Sequence, residues 1–362
     1  MKVMSIFGTR PEMIKLWSTL KKLDELNFDH VMVHTGQNFT PELKDFFFRD
    51  LEMRAPDYQL SIDTSSPARE TADVILKTDE LFEKEKPDAL LILGDTYSGL
   101  SVIPASQRGI KIFHMEAGLR AWDRRMPEQR NRMLIDHISN ILLPFNPNHR
   151  ENLIRENIHP SKIFLTGNPT FEAMRHFRPK IDQSDIVDRL KVKPKDYVLV
   201  TAHRSENVDN HVYLKALFEA FEGIVKRLNK QVIYPMHPRT RNKMKDLNIK
   251  VPKGVELMEP LGFYDFNKLF IHAFCVLSDS GTASEEGLYY KVPVVSFRMT
   301  TERPEVIEAG YNIVAGMDPN NIVDSIETLT MEPFAARYDF NEDFDASNVV
   351  VNCIRSQITN WF

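Results

Sequence analysis

The stretch Lys2-Val3-Met4-Ser5-Ile6-Phe7-Gly8-Thr9-Arg10-Pro11-Glu12-Met13-Ile14-Lys15-Leu16 decides the fold. Val3 to Phe7 reads as a strand, and Gly8 permits a tight turn at its end. Met13, Leu16, Leu20 and Leu23 follow at the i, i+3, i+4 spacing of an amphipathic helix. Strand, turn and helix make the opening of a βα unit, and the rest of the chain repeats it. Further strands are expected at His30 to His34, Ala89 to Leu93, Ile112 to Met115, Ile141 to Leu143 and Ile163 to Thr166.

The second half has the same rhythm. Its strands are expected at Val198 to Ala202, Gln231 to Tyr234, Val255 to Met258, Cys275 to Ser278, Val294 to Phe297 and Tyr311 to Val314. Helical patterns such as Val212 to Arg227 and Ala283 to Tyr290 separate them. Such alternation implies an α/β chain with parallel sheets. A length of 362 residues exceeds one core. The expected architecture is two Rossmann-like, doubly wound domains facing a cleft: residues 1–175 and 176–345. The charge- and proline-rich stretch Phe177 to Asp196 serves as linker. An amphipathic helix, expected over Ser347 to Phe362, belongs to a terminal piece, 346–362, packing back on the first domain.

Composition narrows the function. A net charge of -5, with cations scattered among acids, gives no reason to expect a nucleic-acid or membrane partner. The two cysteines, Cys275 and Cys353, sit far apart in apolar stretches and read as buried free thiols. No stretch approaches the ~20 apolar residues that span a bilayer. A strand starting at Lys2 leaves no room for a signal peptide, so the expected location is the cytoplasm.

In doubly wound sheets ligands bind beyond the carboxyl ends of strands. Gly8-Thr9-Arg10-Pro11-Glu12, with Lys15 after it, reads either as a diphosphate or carboxylate site or as a capped turn with two solvated cations. Neither GxGxxG nor GxxxxGK[ST] occurs there, so NAD and ATP find no support. Gly94-Asp95-Thr96 and Glu116-Ala117-Gly118 place carboxylates at two strand ends. An Asp there often only caps the next helix, but a cap does not explain both. Glu128 and Arg132 stand at i, i+4 on a helix with Leu134 and Ile138 on its expected buried side. The pair reads as a weak surface contact or as a device that sets the charge state of an acid or base.

In the second half His203-Arg204 and His237-Pro238-Arg239 follow strands and suit anionic oxygen. Ser280, Gly281 and Thr282 open a helix whose free amides form an anion site, and an acid just beyond, at Glu285-Glu286, suits ribose hydroxyls.

Together these motifs resemble the non-hydrolysing UDP-N-acetylglucosamine 2-epimerase family, whose fold is the two-Rossmann-domain GT-B architecture. The likeness covers nearly the whole chain in order. It runs through Gly8 to Glu12, His34-Thr35-Gly36-Gln37, Gly94-Asp95-Thr96, His114 to Arg120, Pro127-Glu128 with Asn131-Arg132, and Thr166-Gly167-Asn168. It continues through His203-Arg204 with Glu206, Ser278 to Gly281 with Glu285-Glu286, and Thr300 to Glu305. The resemblance implies loss of UDP across C1–C2 to a 2-acetamidoglucal, then re-addition with C2 inverted. A positioned carboxylate takes the weakly acidic C2 proton and a second acid returns one on the other face. By the same matching Asp95, Glu116 and Glu128 are the acid/base carboxylates, with Arg132 beside them and His203 assisting. Arg10, Lys15, His203, Ser280 and Gly281 stabilise the leaving diphosphate, and Arg204, His237 and Thr282 are counted among the substrate- and UDP-binding residues. Glu286 holds the ribose, Arg303 faces phosphate or sugar, and backbone at Leu261 and Phe266 reads uracil. The family implies no metal or nicotinamide cofactor, a homodimer, and domain closure over the sugar.

The chain also departs from the family pattern. Asn38 stands where the family usually has His after the Thr-Gly-Gln turn, which puts an effector site there in question. Gln129 replaces a usual Glu and removes a charge near Glu128. Ile112 to Met115, His237 to Asn242, Pro260 to Phe263 and Asp279 to Thr282 look more like a branch acting on UDP-2-acetamido-2,6-dideoxy-L-hexoses. Trp122-Asp123-Arg124-Arg125 falls where sugar-facing loops diverge. The rival functions are a GT-B UDP-sugar glycosyltransferase, a hydrolysing epimerase and a catalytically dead nucleotide-sugar sensor.

Overall fold

Fully buried strands with helices between them build two α/β units. The computed structural model describes residues 1–36, 48–202, 204–331 and 344–358, apart from the side chains of Ser205, Glu206, Pro238 and Arg239. His203, Gln37, Asn38 and the last residues of the C-terminal helix pattern therefore lie outside the described residues, as do the side chains of Glu206 and Arg239.

One unit comprises Met1–Arg175 and Asp343–Phe362. Its elements are β1 (Lys2–Phe7), α1 (Arg10–Glu25), β2 (Asp29–His34), β3 (Tyr58–Gln59), α2 (Pro67–Glu85), β4 (Ala89–Leu93), a 3₁₀ turn at Tyr97–Ser101, α3 (Val102–Gln107), β5 (Lys111–Met115), α4 (Pro127–Ile138), β6 (Ile141–Leu143) and α5 (Pro147–Arg155). The sheet order is β3-β2-β1-β4-β5-β6, all parallel. Side chains alternate across it. Met4, Ile6, Leu90, Ile92 and Ile112 point to one face, where they pack with Val74, Phe82 and Ile135. On α1 the buried Met13, Leu16, Leu20 and Leu23 keep the expected spacing. β3 carried no recognisable strand pattern, being only two residues long. Ile163 to Thr166 does not become a full strand: Ile163 forms one bridge to Leu142, while Phe164 and Thr166 donate to Leu142 O and Pro144 O.

The other unit, His176–Glu342, has β7 (Tyr197–Thr201), β8 (Gln231–Pro235), β9 (Val255–Met258), β10 (Cys275–Ser278), β11 (Val294–Ser296) and β12 (Asn312–Val314). The order β12-β11-β10-β7-β8-β9 is, read from the other edge, that of the first sheet. α6 (Pro169–Gln183) leads into this unit, followed by α7 (Ile186–Arg189), α8 (Ser205–Val208), α9 (His211–Leu228), α10 (Pro238–Asp246), α11 (Phe263–His272), α12 (Gly281–Tyr290), α13 (Pro304–Glu308) and α14 (Pro319–Thr330). Val198, Val200, Tyr234 and Leu277 pack with Phe218, Phe221, Ile322 and Ile326 from α9 and α14. Leu199, Ile233 and Val276 meet Leu269, Phe270 and Ala283 on the opposite face. Both cysteines are buried thiols, and burial pushes Cys275 up to about 12 and Cys353 to about 11.

The stretch read as a linker is largely helical. α6 runs to Gln183, and Phe177 is buried edge-on against Phe263. Charge spacing hid the end of a helix whose Phe177 and Ile181, one turn apart, are both fully buried. The chain's last described helix, α15 (Ala346–Gln357), packs on α1. Glu172 accepts from Ser347 N (3.0 Å) and Ser347 Oγ at its start.

Candidate active site

Each sheet reverses strand order at its middle, between β1 and β4 and between β7 and β10. Loops leaving a switch point part to opposite faces and open a crevice. Asp95, Arg10 and Lys15 follow the switch-point strands of the first unit, and Glu116 follows the neighbouring β5.

Gly94 N donates to Met115 O (3.0 Å), which sets the turns after β4 and β5 side by side. Gly94 has φ +74, and a Cβ there would lie 3.0 Å from Glu116 Oε2. The Glu116 carboxylate thus rests on the turn that carries Asp95, and glycine answers both the backbone angle and the close approach. Glu116 itself has φ +63, a left-handed conformation that costs a non-glycine residue about 1–3 kcal/mol. Its buried carboxylate is ion-paired to the buried ammonium of Lys15, which also lies 5.8 Å from the Phe145 ring centre. An ammonium here holds the strained carboxylate in place.

Asp95 is held from α4. Arg132 Nε donates to Asp95 Oδ2 (2.7 Å), its NH2 lies 2.5 Å from the same oxygen, and Asn131 Nδ2 donates to Asp95 O (3.0 Å). Gln129 Oε1 accepts from Ala121 N (2.7 Å) and from Arg132 NH1 (3.4 Å), tying the Trp122 loop to the same guanidinium. Glu128 sits in the first turn of α4, half-buried. The expected buried side of this helix needs correction. Its buried residues are Gln129, Arg132, Ile135 and Asp136, while Leu134 is 39% exposed. Ile138 does pack, half-buried, against the core as expected, but polar partners at Asp95 and beneath it turn the inward face away from Leu134.

Glu12 links two turns. Its Oε2 accepts from Gly8 N (3.0 Å), Thr9 N (2.8 Å) and Thr9 Oγ1 (2.7 Å), while Oε1 accepts from Thr96 Oγ1 (2.9 Å). Burial pushes this carboxyl up to about 7 despite those donors. Arg10 opens α1 half-buried beside it.

In the second unit Arg204 N donates to Asp279 Oδ2 (3.0 Å), which also accepts from Asn207 Nδ2 (3.2 Å). Asp279, fully buried at the end of β10, thereby fixes the loop after β7. Ser280 is the N-cap position of α12, and its amide donates to Ser278 Oγ (2.9 Å). Gly281 and Thr282 begin that helix, with Glu286 buried one turn on. A Cβ at Gly281 would meet Arg303 NH1 at 2.3 Å, so the guanidinium lies directly on the helix start. Arg303 is engaged by protein carboxylates: Nε lies 3.0 Å from Glu285 Oε1, and NH1 donates to Glu302. Leu261 packs half-buried against the core. Phe266 N donates to Gly262 O (3.1 Å) to close the first turn of α11, so its amide is engaged within the helix. His237 is exposed after β8.

Sequence reasoning missed the ties beneath these turns, from Glu12, Asn131, Asp136 and Asp279. The available signal was a set of polar residues, Gln129, Arg132 and Asp136, at helical spacing on one face of α4. Among the described residues no group of three or more His, Cys, Asp or Glu is arranged to hold a metal ion. Among them, too, no helix is long and apolar enough to cross a membrane.

The family model described as UDP-N-acetylglucosamine 2-epimerase matches residues 21–355. A solved UDP-N-acetylglucosamine 2-epimerase from Rickettsia bellii is 38% identical, with TM-score 0.91, over 99% of this chain and 97% of that one. The Methanocaldococcus jannaschii UDP-GlcNAc 2-epimerase, solved in complex with UDP-GlcNAc and UDP, is 34% identical, with TM-score 0.92, over 98% of this chain and 100% of that one. A UDP-2,3-diacetamido-2,3-dideoxy-D-glucuronate 2-epimerase from Pseudomonas aeruginosa is 32% identical over 91% of this chain and 92% of its own length. The paired carboxylate turns therefore sit in a chain that belongs to the UDP-N-acetylglucosamine 2-epimerase family and is an isomerase of the epimerase type.

Proposed function

We propose that this protein inverts C2 of a UDP-N-acetylhexosamine without hydrolysing it. A carboxylate removes the C2 proton as the C1–O bond to UDP breaks, leaving a C1=C2 double bond in a 2-acetamidoglucal. UDP then re-adds to C1 while a second carboxyl group returns a proton to the opposite face of C2. Asp95, Glu116 and Glu128 share this work, with Arg132 orienting Asp95 and Lys15 orienting Glu116. Arg10, Arg204, His237, Ser280, Gly281 and Thr282, together with His203, serve the diphosphate. Glu286 serves the ribose, Leu261 and Phe266 the uracil, and Arg303 the helix start on which the phosphates rest. No metal or nicotinamide enters this scheme. The protein acts in the cytoplasm as a homodimer.

The observation that carries the reading is the pair of carboxylates on adjoining turns, Asp95 under Arg132 and Glu116 under Lys15. A glycosyltransferase needs no such pair beside the sugar. For the sugar itself we favour a UDP-2-acetamido-2,6-dideoxy-L-hexose, on the local likeness of Ile112 to Met115, His237 to Asn242, Pro260 to Phe263 and Asp279 to Thr282, with Gln129 in place of a Glu. UDP-N-acetylglucosamine, named for both solved relatives, is the alternative.

Incubation in D₂O with UDP-GlcNAc and, separately, with UDP-N-acetyl-L-rhamnosamine decides both points. Epimerised product with deuterium at C2 is expected, and the faster substrate names the branch. Sugar transfer, or no exchange with any UDP-N-acetylhexosamine, overturns the reading. Asp95→Asn is expected to abolish C2 exchange while leaving UDP affinity within about threefold, since it removes a proton acceptor and no phosphate contact. Collapse of UDP binding would instead assign Asp95 to the nucleotide.

A further inference from the structure

We propose that His114, backed by Asp136, is a positioning residue that pins the turns bearing Asp95 and Glu116 at a fixed separation. The proposal rests on the epimerase reading above.

His114 is fully buried on β5, two residues before Glu116. Its Nδ1 lies 2.8 Å from Asp136 Oδ1 and its Nε2 2.9 Å from Gly94 O. A carboxylate and a carbonyl both offer acceptor oxygens, so each ring nitrogen faces an acceptor and the ring bridges the two groups. Asp136 Oδ2 also faces Arg120 NH2 at 2.8 Å, and Arg120 forks onto Glu156 with bonds of 2.7 Å from Nε and from NH2. Asp136 and Arg120 are thus a fully buried ion pair, while Glu156 is partly exposed. His137 Nε2, 3.2 Å from Glu156, ends the line at the surface. Burial pushes the Asp136 carboxyl up, but the bonds and charges of His114 and Arg120 outweigh it and hold the group below its ordinary value.

The grip falls on two catalytic turns at once. His114 holds the carbonyl of the residue preceding Asp95. Asp136 Oδ2 accepts from Gly118 N (3.2 Å), just past the left-handed Glu116. A histidine serving only as core filling would not need acceptors on both nitrogens. Loss of the Gly94 bond frees the Asp95 turn to drift from Glu116, and a drift of about 1 Å costs about 100-fold in rate.

Two conservative variants separate the roles. In His114→Asn the amide nitrogen takes the place of Nδ1, keeping Asp136 in reach and abandoning Gly94. In His114→Gln it takes the place of Nε2 and recovers Gly94. We expect the Asn variant to lose about 30-fold in kcat, with KM and UDP affinity within about twofold, and the Gln variant to stay within about threefold of the parent. Assays run well below each melting temperature, on whichever UDP-N-acetylhexosamine the parent epimerises. Equal kcat losses in the two variants, or changes confined to KM and UDP affinity, overturn the proposal. If the Asn variant does not fold, a folded Gln variant decides: near-parent kcat supports the proposal, and lost kcat overturns it. A parent enzyme without C2 exchange on any such substrate would instead sink the epimerase reading.

Discussion

At Glu12, hydrogen bonding and burial pull in opposite directions. Donors at Gly8, Thr9 and Thr96 favour the carboxylate, yet desolvation wins and raises the group from 4.5 to about 7. The folded chain therefore binds more protons than the unfolded chain between those values. The stabilisation from the protonated form is complete below the unfolded value and is lost as pH rises to about 7. Its slope is at most about 1.4 kcal/mol per pH unit. Urea unfolding of the parent and of Glu12→Gln, which cannot titrate, checks this. The parent should lose stability relative to the variant as pH rises through that window, and parallel curves would refute it. Asp95, Glu116 and Arg132 were legible in the sequence because each stands at a strand end or on the helix after one. The partner of His114 was not, because Asp136 lies 22 positions away and is brought under it only by the packing of α4 on the sheet.

At the scale of elements, α4 shows how a site redirects a helix. Leu134 and Ile138 make the obvious apolar stripe; Ile138 is half-buried on the core, Leu134 is exposed, and Ile135 is the fully buried aliphatic. Its Cδ1 would meet a Cβ added at Gly99 at 2.6 Å. Ile135→Ala is expected to cost about 2–4 kcal/mol, against no more than about 0.5 kcal/mol for Leu134→Ala, both measured by thermal or urea unfolding. Equal losses would mean that Leu134 faces the core after all. The strands were read far more faithfully than this helix. A buried parallel strand is a short apolar run whatever its neighbours, whereas a helix beside a site turns toward its polar partners. β3 and the end of the supposed Ile163 to Thr166 strand were too short or too irregular to leave a local signal.

For the whole molecule, two sheets with one strand order mean that each unit brings its own switch point. The proposed function puts UDP on the second, and saturation with UDP should then stabilise the folded chain by mass action. At about 100 times Kd the gain is about 2.7 kcal/mol, seen as a rise of roughly 3–4 °C in Tm. No shift at any UDP concentration up to about 10 mM would remove the nucleotide half of the reading. Periodicity and burial are local properties. For that reason the sequence alone determined the βα rhythm of both halves, the strand ends, and which carboxylates and cations stand there. Strand order is not local. Only the tertiary structure set β4 beside β1 and β5 beside β4, which brought Asp95 against Glu116 across Gly94 and slid His114 and Asp136 beneath both. Those contacts join residues remote in sequence, so their geometry exists only once the sheet has closed its pairings.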